Sequence, residues 1–64
     1  MKDETFTVAG RTFVLVPEHM QPNTAWTFKE VLPDGSRVDP DDVMGCAGPK
    51  GFVKFHVKSS LGER

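Results

Sequence analysis

The chain contains no tyrosine, one tryptophan, one cysteine and no long hydrophobic run. A lone thiol cannot close an internal disulfide, and an unstapled chain of this kind suits a reducing compartment, so the cytoplasm is the expected location. No stretch approaches the roughly 18 apolar residues of a membrane span. Residues 1–10 have neither the basic start nor the apolar stretch of a signal peptide. Paired metal ligands such as Cys-x-x-Cys or His-x-x-x-His are absent, which excludes the usual structural zinc motifs. The glycines at 48 and 51 flank a proline and a lysine without the Lys-Ser/Thr ending of a phosphate loop.

What is present is 64 residues, 38% apolar and 27% charged, with a net charge of −1. That is enough for one small domain with a thin core and little room for an active-site cleft. Residues 1–58 are expected to form a single β domain, and 59–64 a frayed C-terminal tail. The near-neutral total conceals an uneven distribution. Glu30, Asp34, Asp39, Asp41 and Asp42 face only Arg37 in the middle of the chain, whereas Lys50, Lys54, Lys58 and Arg64 outnumber Glu63 at its end. Such a split marks either a partner-binding face or two segments that neutralise each other in the fold.

Alternating polar and apolar residues predict strands at 5–8 and 12–16, joined by a tight turn with Gly10 and Arg11 at its centre. That register places Val8 opposite Phe13 and Phe6 opposite Leu15, all four on one face. Val14 and Val16 then join Thr5 and Thr7 on the other face, a side too apolar to be left wholly in water. Residues 17–23, with Pro17 and Pro22, read as a loop. Strand character resumes at 24–32, with Trp26 and Phe28 on one face and Thr27, Lys29 and Val31 on the other. Leu32-Pro33-Asp34-Gly35-Ser36 is a hairpin turn, since proline presets φ and glycine supplies a left-handed residue. A short strand at 36–38 follows. Asp39-Pro40-Asp41-Asp42 has the chemistry of a helix start, stopped by Gly45 and Gly48. Residues 52–58 read as the last strand, with Val53, Phe55 and Val57 inside and Lys54, His56 and Lys58 outside. The expected core is Phe6, Val8, Phe13, Leu15, Trp26, Phe28, Val38, Val43, Met44, Val53, Phe55 and Val57.

The fold class expected from this order is mainly β: an antiparallel sheet of four to five strands with one short helical turn before the last strand. The tight hairpin, helical turn and final strand over residues 24–58 resemble the second half of SH3-like barrels. The resemblance implies that the sheet bends or closes into a small barrel, with an open sheet as the alternative. It carries no family motif, and the missing tyrosines remove the aromatic cluster by which SH3 domains hold proline-rich ligands.

Catalytic chemistry finds few parts. Cys46 lies in a glycine-rich loop with no histidine near it in sequence, and the aspartates cluster in turns, where solvated carboxylates normally sit. Asp39, Asp41 and Asp42 lack the alternate spacing and closing glutamate of a calcium loop. No enzyme activity, metal or cofactor is expected. The leading expectation is a non-enzymatic protein-interaction module, an adaptor or inhibitor of a larger protein machine, as suits a small phage or mobile-element protein. Val14 and Val16 are its candidate partner-binding residues, toward another protein or a second copy of the chain. The alternative is a nucleic-acid-binding barrel that uses Lys50, Phe52, Lys54, His56 and Lys58, a basic strand with a stacking aromatic.

Overall fold

The computed structural model describes residues 4–18 and 21–62, with the backbone alone at 21–24. Four strands, β1 (Glu4–Val8), β2 (Arg11–Glu18), β3 (Gln21–Val31) and β4 (Arg37–Val38), are followed by one helix, α1 (Lys50–Ser60). The strands form an antiparallel sheet in the order β1-β2-β3-β4, each pairing with its neighbour in the chain. The sheet is open. The barrel is not formed, because the residues assigned to a closing strand are helical and pack across one face instead.

The first turn is built from Ala9 and Gly10, at φ 53° and 76°, rather than from Gly10 and Arg11. Two successive positive φ values define the primed turn whose twist matches the flanking strands. An alanine in the left-handed region is strained, so the local sequence gives no sign of this pair. The observed register is Val8↔Arg11, Phe6↔Phe13 and Glu4↔Leu15, two residues from the expected one. A shift of two keeps every side chain on its face. Phe6, Val8, Phe13 and Leu15 therefore do share the core side, and Arg11 joins its rim.

The predicted loop at 17–23 largely yields to strand. Pro17 pairs with Trp26 and Glu18 with Gln21, with a register shift between them. Residues 22–25 thus have no opposite number on β2, so Pro22 costs the ladder no hydrogen bond. The second hairpin forms at the expected place. Gly35 N–H donates to Leu32 O and Leu32 N–H to Ser36 O, both at 2.8 Å. Asp34 Oδ1 accepts from Ser36 N–H at 2.9 Å and from its hydroxyl at 2.7 Å, which holds the Asp34 carboxyl below its ordinary pKa. Gly35 has φ 91° with open space around a Cβ, so a side chain there is opposed by backbone strain and not by a clash. Gly35→Val is expected to lower stability by about 1–2 kcal/mol in a urea melt; an unchanged midpoint would contradict this turn.

Residues 39–44 do not form the expected helix. The side chains that would have capped it are engaged elsewhere: Asp39 accepts from Lys29 Nζ at 2.8 Å, and both Asp42 oxygens accept from Arg11. The segment is a strap from β4 to the core, anchored by buried Val43. It rejoins β3 through paired backbone bonds between Trp26 and Gly48, at 2.8 and 3.0 Å.

The core lies between the sheet and α1. It contains Val8, Phe13, Leu15, Phe28, Val43, Val53 and Val57, with Phe6, Trp26, Cys46 and Leu61 packed against it. Val38, Met44 and Phe55, expected inside, are exposed. The expected tail gives Ser59 and Ser60 to the helix and Leu61 to the core, while residues 63–64 lie outside the described residues.

Candidate functional site

α1 decides what the surface offers, because it carries every residue of the basic, aromatic set expected on a last strand. Each helical residue advances about 100° around the axis. Val53 and Val57, four apart, therefore point together into the sheet, and Leu61 continues their line. Lys50, Lys54 and Lys58, also four apart, form one flank of the helix. Phe52 and His56 form the opposite flank. Phe55, which strand alternation would have buried with Val53 and Val57, points away from the sheet and is 68% exposed.

The lysine flank faces β1. Glu4 accepts from Lys54 Nζ and holds Lys50 Nζ at 3.3 Å, while the Lys50 ammonium also stands 5.0 Å from the centre of the Trp26 ring. Lys58 has no ion pair among the described residues. The other flank rests on the 44–48 strap. A Cβ at Gly48 would come within 3.0 Å of the Phe52 ring, so the close seat of Phe52 on the strap depends on glycine. The rings of Phe52 and His56 stack at 6.4 Å, and His56 Nε2 lies 2.7 Å from Met44 O. The five residues of the nucleic-acid alternative are consequently not one surface. Two of their cations are held by Glu4, and their aromatic lies on the far flank.

The strap and helix together expose apolar surface. Met44 is 79% and Phe52 51% exposed, in addition to Phe55. Phe52 and Phe55, one turn apart on α1, together present on the order of 250 Å², and exposed apolar surface of this kind is often functional. Sequence reasoning placed Met44 and Phe55 in the core. The spacing that reveals the exposure of Phe55 is the four-residue repeat shared by the lysines and valines of 50–61, whereas nothing local marks Met44.

The opposite face of the sheet behaves differently from expectation. Val14 has no exposed surface, although it lies on the side away from the helix. It sits in the middle strand between Thr5 and Lys29, with Val16 and Thr27 paired just beyond. Val14 is thus enclosed within the chain itself, where the expectation was a surface open to a partner. Val16 is half-buried.

A cavity of about 340 Å³ lies at the end of the sheet, lined by Arg11, Glu30, Leu32 and Pro33 among others. Its charged groups are already satisfied. Arg11 Nε and Nη2 donate to the two Glu30 oxygens at 3.0 and 2.8 Å, and Nη1 and Nη2 to Asp42 at 2.6 and 3.0 Å. Its guanidinium also lies 5.5 Å from the Phe13 ring centre. This network joins β2, β3 and the strap, a structural role. Cys46 is partly buried and its thiol is pushed up by that burial, which makes it a poor nucleophile. His19 lies outside the described residues.

The ion pairs give the fold an acid limit. Hydrogen bonds from Lys54 and Lys50 hold the Glu4 carboxyl below its ordinary value, and those from Arg11 do the same for Glu30 and Asp42. Because these carboxyls have lower pKa values folded than unfolded, their contribution is present above the ordinary values and is lost as pH falls through the folded ones. The melting temperature is expected to decline as pH falls below about 4.5, the ordinary glutamate value. Arg11→Met should make that decline shallower, and equal acid slopes for variant and parent would remove the network from the account. Comparison with family models, curated proteins and solved structures finds no match to this chain.

Proposed function

We propose that the chain is a non-enzymatic protein-interaction module, and that it engages its partner through Phe52, Phe55 and Met44 on the solvent side of α1. The observation that supports this is the helix with two apolar sides. Val53 and Val57 account for one side by covering the sheet, while Phe55 and Phe52 leave the other uncovered. A surface helix normally has a single apolar stripe, and exposed aromatics bring large contact area at small entropic cost on binding. The described cavity adds no reactive constellation. The role this fits is a small adaptor or inhibitor seated on a larger protein.

A photo-crosslinking amino acid at position 55, introduced in the cells that make the protein, tests the reading. A discrete protein adduct that is lost with Phe52→Ser supports it. A nuclease-sensitive adduct, or binding that weakens steeply with salt, would overturn it in favour of nucleic acid.

A further inference from the structure

We infer that the free edge of β1, beside the lysine flank of α1, accepts an extended, carboxylate-bearing segment of a partner protein as a fifth strand. This site is distinct from the aromatic side of α1. The residues that flank a two-residue primed turn exchange both ladder hydrogen bonds, and such pairs recur at every second position. Val8, Phe6 and Glu4 therefore bond to β2, and the N–H and C=O groups of Thr5 and Thr7 point away from it. β1 is the outer strand of the sheet, and no other described backbone group pairs with it.

Sheet edges are commonly protected by proline, lysine, a bulge or extreme shortness. β1 has five residues with no proline, lysine or bulge, and its one charged residue, Glu4, is turned to α1 and held by Lys50 and Lys54. The opposite side of the sheet is closed by contrast: β4 is two residues long, and the strap bonds to Trp26 farther along β3. Thr5 and Thr7 are both exposed.

The chemistry of the occupant follows from charge. The ion pairs to Glu4 place Lys50 and Lys54 over β1, and Lys58 continues the line one turn on. Among the described ion pairs Glu4 is the one carboxylate that meets these lysines, and Lys58 has none, which leaves a surplus of described ammonium groups along the flank. A docked strand turns every second side chain toward α1, and carboxylates at those positions would meet this surplus. A second copy of β1 is the poorer occupant, because it brings a second lysine flank against the first. Main-chain bonds to Thr5 and Thr7 would supply affinity, and the lysines the preference for acidic sequences.

The test is a titration of the isotope-labelled chain, followed by amide resonances, with a short blocked peptide of alternating threonine and glutamate. Saturable shifts at Thr5 and Thr7 are expected, with affinity falling several-fold on raising salt and by tenfold or more when lysine replaces glutamate in the peptide. Thr7→Pro removes an outward N–H that the ladder does not use, so it should abolish these shifts while the melt stays close to the parent's. Should that variant unfold, the same peptide N-methylated at alternate residues provides the block from the other side, and it should fail to bind. No shift at millimolar peptide, equal binding by the methylated peptide, or shifts at Phe52 and Phe55 in place of Thr5 and Thr7 would each overturn the edge site. Equal binding by the lysine peptide would overturn the acidic preference. These readouts do not involve the crosslink at position 55, so this inference and the reading of the aromatic surface can fail separately.

Discussion

Val57→Asp is expected to abolish the cooperative thermal transition, whereas Phe55→Asp leaves it within a few degrees of the parent. The Val57 side chain has no exposed surface and lies among Val53 and the sheet residues. A carboxylate there has no described cation in the core to pair with, and burying it costs several kcal/mol. A domain of 64 residues has a total stability on the order of 3–10 kcal/mol, so little would remain. Phe55 is 68% exposed, and an aspartate at that position meets water. Circular dichroism melts of the two variants decide the matter. Were 52–58 a strand, the two positions would share a face and both variants would unfold. Equal behaviour would therefore refute the helix and the functional surface with it.

Val14→Lys should be nearly as damaging, and Val16→Lys much milder. Val14 is wholly enclosed although it is on the sheet's outer side, so a lysine must either bury its ammonium or displace what encloses it. Loss of apolar contact and a strained, partly desolvated charge together make several kcal/mol. Val16 is half-buried, and a lysine stem there can reach solvent. Urea denaturation of both variants is the measurement. A Val14→Lys protein as stable as the parent would show that the outer face is open and restore it as a partner surface.

The contrast between 32–36 and 52–58 shows where sequence was informative. The Pro-Asp-Gly turn is read correctly because its signal is local: ring, side-chain acceptor and glycine all act within five residues. The faces of β1 and β2 survive a wrong turn assignment because strand periodicity tolerates a shift of two. Residues 52–58 are ambiguous over so short a window, since valine and phenylalanine favour strands and their alternation is regular. Extending the window to 50–61 brings in the four-residue spacing of lysines and of Val53, Val57 and Leu61, which fits only a helix. At Asp39 and Asp42 the reason is different. Their capping chemistry is genuine, but Lys29 and Arg11, 10 and 31 residues earlier, compete for the same oxygens. Contacts of that range leave no trace in local pattern. The exposed aromatic side of α1 is hidden for another reason, because strand alternation buries Phe55 and the helix replaces that periodicity.

Nearest-neighbour strand order has a kinetic corollary. Every pairing in the sheet joins segments adjacent in the chain, so loop closure is inexpensive and each hairpin can zip without waiting for distant residues. The strap and the helix are the exceptions, since the strap must reach Arg11 and Trp26 and the helix must return to β3 and to β1 at the start of the sheet. Until they do, Val8, Phe13, Leu15 and Phe28 lie on an open apolar surface beside an unpaired strand edge. Docking of the strap and α1 is thus expected to come late, and it would end the period in which the folding chain is most exposed to association with its own copies.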